Sequence, residues 1–357
     1  MLKRFLPLLL CFFLTACAAP EPAQQQLVAM DTVMTFTAYG GDAESAVESA
    51  AAQMRALENA LSRTRPDSEV SRLNDQGSGT AGAALGELLQ AAVHYCGTTE
   101  GAFDFTVSPV ASAWGFTTDS FQVPRPEELE ALLPLVDGSA VTVEKTGDAY
   151  HAVLGPGQSI DLGGIAKGYA ADLVADYFAA SEIEHGKAEM GGNILVWGTR
   201  PGGGPWRVGV MDPARPGENG AIAGVLELEN AYAITSGGYQ RFFEQDGKTY
   251  HHIIDPSTGY PADSGLTSVT VVAQAQARSE PGKPGNGTMC DAYSTAFFIM
   301  GEEKALDFWR NHQKNRPYEA AFDLILVTEN GRIVVTEGLA GRFTPDAESG
   351  YVYETVS

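Results

Sequence analysis

Basic residues are scarce in this sequence. Lysine and arginine together number 23 against 45 aspartates and glutamates, giving a formal net charge of −22, and no basic run follows the first few residues. Nucleic acid, which requires a positive footprint to meet its phosphates, is therefore not among the expected partners. Cysteine is limited to four residues, Cys11, Cys17, Cys96 and Cys290, and no internal repeat is visible. Disorder is not indicated either: 44% of residues are hydrophobic and 19% charged, and 357 residues are ample for a sizeable core in one large domain or two ordinary ones.

Glycine is plentiful, with 40 residues, many of them paired as Gly163-Gly164, Gly191-Gly192 and Gly237-Gly238. Such pairs mark turns where backbone comes close to something else. The first seventeen residues, "MLKRFLPLLLCFFLTAC", join a basic start to an apolar stretch too short to span a bilayer and end in small residues before a cysteine. This reads as a signal peptide over residues 1–16, with a bacterial lipobox placing lipid on Cys17, a polar tether over 17–26 and one domain over 27–357. The alternative is an ordinary signal with a chance cysteine. A lipidated Cys17 implies attachment to a membrane on its extracytoplasmic face. Ala18 rather than an acid follows it, which in a cell with two membranes points to the outer one.

Along the chain, "QLVAMDTVMTFTAYG" reads as a strand. Apolar residues at Ala46, Val47, Ala50, Met54, Leu57 and Leu61 trace one helix face. Further helices are expected over 83–96, from Arg125, up to about Ala180, and from Asp291 to about His312. "VTVEKTGDAYHAVL" looks like a hairpin, and Asn330-Gly331 marks another. The Gly- and Pro-rich stretch Ala273 to Met289 reads as a mobile surface loop. Hairpin-linked strands with irregularly inserted helices predict an α+β fold and argue against a doubly wound parallel sheet.

The most distinctive turn lies in "SIDLGGIAKGYAADLVADYF", Ser159 to Phe178. It lacks the Walker pattern, because Lys167 is followed by Gly168 and the glycines stand only three and four residues before it. Adjacent glycines, a helix N-terminus and a lysine nevertheless suit an anion, although Lys167 could equally stand in solvent. Asp291 admits two readings: an acid capping its own helix, or, with Thr295 four residues on along the same face, a pair of hard oxygen ligands for Mg²⁺. His251 and His252 point to opposite faces of a strand-like stretch, so at most one need face a site. Asp255 suits a turn, and Asp104 and Asp161 could each merely cap local backbone.

"DLGGIAKGYA", "GGN", "TSGG", "HHIIDPSTGYP" and "DAYSTA", in this order behind a lipobox, resemble the FAD:protein FMN transferase family, the ApbE-type flavin transferases. The resemblance runs from about Met30 to Thr336. It implies a single α+β domain that uses Mg²⁺ to split FAD and attaches FMN to a threonine of an acceptor protein through a phosphoester, releasing AMP. Carried over by motif, the metal ligands fall on the Gly164 carbonyl, Asp291 and Thr295. The flavin contacts fall on Met30, Ala102, Phe103, Asp104, Asp161, Lys167 and Ile254, and the catalytic histidine on His252, with Lys167 reaching a phosphate. "SEVSRLN" matches a further family motif, which adds Asn74 to the site. Two departures stand out: the 273–289 loop is longer than the resemblance leads one to expect, and Cys290 stands where a small residue is usual. By the same resemblance the acceptor is a subunit of a membrane redox complex or another extracytoplasmic flavoprotein. An FAD pyrophosphatase and a non-catalytic flavin-binding lipoprotein are the competing readings.

Overall fold

The computed structural model describes residues 21–118, 120–218, 220–280, 283–315 and 320–357. The signal segment and Cys17 lie outside the described residues. The architecture is α+β, built on a nine-stranded sheet. Its strands run, in spatial order, Ala23–Ala29, Thr32–Tyr39, His185–Met190, Asn193–Trp197, Ala231–Gly237, Leu266–Gln274, Phe322–Thr328, Arg332–Thr336 and Val352–Val356. Neighbours pair antiparallel except the last two, which are parallel.

The central strands are apolar throughout because both faces are covered. Val269, Val271, Leu324 and Leu326 pack beneath the helices, while the alternate residues Val272, Ile325 and Val327 join a second cluster with Val210, Leu226 and Phe343 of a three-stranded sheet. The helix Ala43–Leu61 buries all six residues of its expected apolar face. Helices also form at Ala83–Thr98, Pro126–Leu132 and Ala166–Ala180, and both expected hairpins are present, with Gly331 left-handed (φ 80°) at the second turn.

Three local expectations change. The first strand is a hairpin, folded back at Met30 and Asp31, both left-handed (φ 50° and 58°), and it begins at Ala23, inside the segment expected to be tether. The 291–312 helical signal is two helices, Asn286–Met300 and Glu302–Asn315, separated at Gly301 (φ 81°). The 273–289 stretch is not a free loop. The sheet continues to Gln274, the helix starts at Asn286, and between them Arg278 bonds Asp176 (2.7 Å) and Glu87 (3.3 Å).

Two helices position the site. A Cβ on Gly168 would overlap the Gly287 carbonyl oxygen and stand 2.6 Å from Asp291 Cβ, so the helices Ala166–Ala180 and Asn286–Met300 meet backbone to backbone where glycine alone fits. At this crossing each helix caps the other. The fully buried Asp172 accepts from the Gly285, Gly287 and Thr288 amides (2.8–3.0 Å) and the Thr288 hydroxyl (2.6 Å), satisfying the start of the second helix. Asp291 accepts from the Gly168 amide (2.7 Å) in the first turn of the other.

Candidate active site

Asp291 lies in the second turn of its helix, not at its start, so the own-helix cap reading is replaced: it caps the neighbouring helix. Its carboxyl, 4% exposed, is pushed above the usual carboxylate range by burial, against the opposing pull of Lys167, the Gly168 amide and the Asn193 side chain. Although close enough to exert that pull, Asn193 Nδ2 is buried without a hydrogen-bond partner of good geometry.

Because Asp291 takes the Gly168 N–H, that amide does not bond back to the Gly164 carbonyl. Among the described residues no backbone N–H donates to that oxygen. Gly164 also sits against Thr295: a Cβ there would stand 3.3 Å from Thr295 Oγ1 and 3.3 Å from Phe103. A buried carboxylate, a hydroxyl and an uncovered carbonyl thus converge on one small region. These are hard oxygen donors of the kind Mg²⁺ takes, and a cation would relieve the burial penalty on Asp291. No cluster of three or more His, Cys, Asp or Glu side chains able to hold a metal occurs among the described residues.

His251 and His252 do have different surroundings. His251 Nε2 donates to the Ala262 carbonyl (3.0 Å), its Nδ1 accepts from the Ile253 amide (3.3 Å), and the ring packs edge-on against Phe298. With both nitrogens used, it is a packing residue. His252 Nδ1 lies 3.1 Å from the Arg241 carbonyl, which can only accept, so Nδ1 carries the proton and Nε2 keeps its lone pair. Burial first, then the positive charge of neighbours including Lys167, pushes its pKa down to about 4. The ring is therefore neutral at physiological pH.

The remaining candidates are held by different local partners. Asp161 forms an ion pair with Arg63 (3.2 Å) and accepts from the Gly163 amide (2.8 Å), fixing the glycine turn. Asn74 grips the backbone of Ile160 at both ends, donating to its carbonyl (3.1 Å) and accepting from its amide (2.7 Å). Asp104 is engaged by the Thr106 amide and hydroxyl (2.8 and 2.6 Å) and the Gly138 amide (2.9 Å), the local capping that its sequence left open. Phe103 and Ile254 are buried, Ala102 is half-buried, and Met30 occupies the left-handed turn with its amide donating to Glu58 (3.3 Å). Asp255 holds its turn by accepting from the amide and hydroxyl of Ser257 (2.8 and 2.7 Å). Cys96 and Cys290 are both buried and free, and burial, with Asp104 beside it, pushes the Cys96 thiol up to about 12.

Residues not singled out from sequence also reach the site: Arg63, Asn193, Ser236 and Ser294. The last three sit within "GGN", "TSGG" and "DAYSTA", stretches that stood out without individual roles, whereas Arg63 carries no local signal. A surface cavity of about 520 Å³, lined by Glu227, Asp323 and Arg342 among others, shares no residue with this region.

Fold and site together define a single-domain α+β protein whose candidate centre is assembled from hard oxygen donors where two helices cap each other. The chain belongs to the ApbE family, whose sequence model matches residues 30–320. It is 30% identical over 301 residues to an FAD:protein FMN transferase of Klebsiella pneumoniae (strain 342), covering 84% of this chain and 86% of that one. It is 34% identical over 251 residues to that of Vibrio cholerae, covering 69% and 70%. Among solved structures, the ApbE protein of Thermotoga maritima superposes with a TM-score of 0.77 at 30% identity, covering 89% of this chain and 98% of that one. The apo flavinyl transferase ApbE of Pseudomonas stutzeri gives 0.72 at 26%, covering 88% and 93%.

Proposed function

We propose that this chain is an Mg²⁺-dependent FAD:protein FMN transferase, which moves FMN from FAD onto a threonine hydroxyl of an acceptor protein and releases AMP. The observation that carries this reading is the convergence of Asp291, Thr295 and the uncovered Gly164 carbonyl, with Lys167 and a neutral His252 near by, in a chain of this family.

The threonine oxygen bonds to the FMN-side phosphorus, the bridging P–O bond breaks, and its electron pair leaves with AMP. His252 Nε2 receives the threonine proton, its ring held in the right tautomer by the Arg241 carbonyl. Lys167, in the first turn of its helix, sets a fixed positive charge where the phosphates are handled. Asp291, Thr295 and the Gly164 carbonyl would hold Mg²⁺, which would add the further positive charge that phosphoryl transfer needs. Arg63 and Asn74 act on the backbone around the turn, through Asp161 and Ile160. Met30, Ala102, Phe103, Asp104 and Ile254 complete the proposed flavin-binding region. A lipid on Cys17 would hold the enzyme on the extracytoplasmic face of a membrane, beside an acceptor that is itself a membrane redox subunit or an extracytoplasmic flavoprotein.

The test is intact-mass analysis of a threonine-containing acceptor after incubation with the purified protein, FAD and Mg²⁺. Addition of FMN to the threonine with release of AMP is expected. Free FMN and AMP with an unlabelled acceptor would make the protein a pyrophosphatase, and unchanged FAD would leave it a flavin-binding lipoprotein.

A further inference from the structure

We infer that Ser236 and Ser294 are positioning residues that fix the direction of the Thr295 hydroxyl, holding its proton away from the candidate cation site and leaving its lone pairs for the ion. The inference rests on the proposal that the site takes Mg²⁺.

Three hydroxyls form a chain that ends on a carbonyl. Ser294 Oγ lies 2.9 Å from the Asp291 main-chain oxygen, which can only accept, so the single Ser294 proton is committed there. Ser236 Oγ lies 2.8 Å from Ser294 Oγ; with the Ser294 proton engaged, Ser236 is the donor of that bond. Thr295 Oγ1 lies 3.2 Å from Ser236 Oγ, and by the same reasoning Thr295 donates. Each distance alone permits either direction between hydroxyls, but the carbonyl at the end gives the whole chain one direction.

The consequence falls on Thr295, which neighbours Gly164. A hydroxyl that turns its proton toward a cation repels it, whereas one whose proton is drawn to the opposite partner offers lone pairs. Ser236 stands on the strand Ala231–Gly237, and Ser294 and Thr295 on the helix Asn286–Met300, so the chain also ties the ligand-bearing helix to the sheet. Ser294 is fully buried, where an unpaired hydroxyl is costly, yet its oxygen both donates and accepts here.

The experiment measures Mn²⁺ binding by electron paramagnetic resonance, with Mg²⁺ competition, on the purified full chain. The variants are Ser236→Ala, Ser294→Ala, their double, Ser236→Thr and Asp291→Ala, with cation-free melting curves recorded alongside. Ser236→Ala should bind about tenfold more weakly, the scale expected when a partner behind a metal ligand is lost. Ser294→Ala should weaken binding without touching the ion, because the Ser236 proton is then free to turn on Thr295. The double variant should be little worse than Ser236→Ala, since one chain is broken in both. Ser236→Thr, which keeps the hydroxyl, should bind close to wild type. Wild-type affinity in Ser236→Ala and Ser294→Ala, with binding lost in Asp291→Ala, would overturn the inference and leave the metal reading standing, as would fully additive serine effects. A wild type that binds no Mn²⁺ would overturn both.

Discussion

Acidification should cost this protein stability specifically through His252. An imidazole ordinarily titrates near 6.5, but here burial and nearby positive charge hold it at about 4. As pH falls from 6.5 to 4, the unfolded chain takes up a proton that the folded chain refuses, so the folded state loses ground throughout that window. With titration at 6.5 unfolded and about 4 folded, lowering the pH from 7.5 to 5.0 removes about 2 kcal/mol of stability through this residue. His252→Gln keeps a polar side chain of comparable reach and cannot titrate. Urea unfolding of both proteins at the two pH values therefore isolates the effect, since the carboxylates they share cancel in the difference. Wild type should lose about 2 kcal/mol more than the variant on acidification, whichever is more stable at pH 7.5. Parallel losses would refute the reasoning, by showing that the ring is solvated enough to titrate normally when folded. The same neutral ring has a functional signature: in single-turnover transfer His252→Gln should be slower by about 10²–10⁴-fold with FAD still bound, the loss typical of a removed proton acceptor.

Gly168→Ala should destabilise the fold by about 1–3 kcal/mol in urea unfolding, because the new methyl group meets the Gly287 carbonyl and Asp291 rather than a flexible side chain; an unchanged midpoint would mean that the two helices part freely. Asp291→Ala should abolish FMN transfer even in excess Mg²⁺ and also cost about 1 kcal/mol through the lost cap. Thr295→Ala should be milder, since water can replace a neutral ligand, and wild-type transfer by Asp291→Ala after chelation and Mg²⁺ addition would reduce Asp291 to its capping role. Cys17→Ser should move the protein from the membrane to the soluble fraction on cell fractionation with soluble activity nearly unchanged; a wild type already wholly soluble would rule out the anchor.

The parts of this structure that could be read from sequence are those whose causes are local. The apolar face from Ala46 to Leu61, the Asn330-Gly331 turn and the helix after the paired glycines each arise from residues a few positions apart, and each is present. What the sequence conceals is mostly decided by a distant residue. Nothing near Asn286 announces a helix start, because its cap, Asp172, belongs to another helix, so the sequence alone points to Asp291 instead. The Met30-Asp31 turn is illegible for a local reason: neither residue is a glycine, although both adopt the left-handed conformation in which glycine is usual. Arg63 reaches Asp161 only after folding.

The reciprocal capping at the helix crossing changes how the two readings of Asp291 relate. In the sequence they are alternatives, own-helix cap or ligand; in the fold Asp291 caps the neighbouring helix instead, and that cap is compatible with the proposed ligand role. By accepting the Gly168 amide, Asp291 withholds that amide from the Gly164 carbonyl and leaves the carbonyl uncovered. An acid capping its own helix could not do this, because the amide that would otherwise cover Gly164 belongs to the neighbouring helix. Asp172 performs the matching service for the Asp291 helix, yet it is wholly buried and its carboxylate is taken up by the amides and hydroxyl of Gly285, Gly287 and Thr288. The two aspartates are therefore alike in capping and unlike in what the capping leaves free. Substituting Asp172 with asparagine should lower stability and loosen the start of the Asp291 helix, weakening cation binding indirectly. Substituting Asp291 should remove that binding directly.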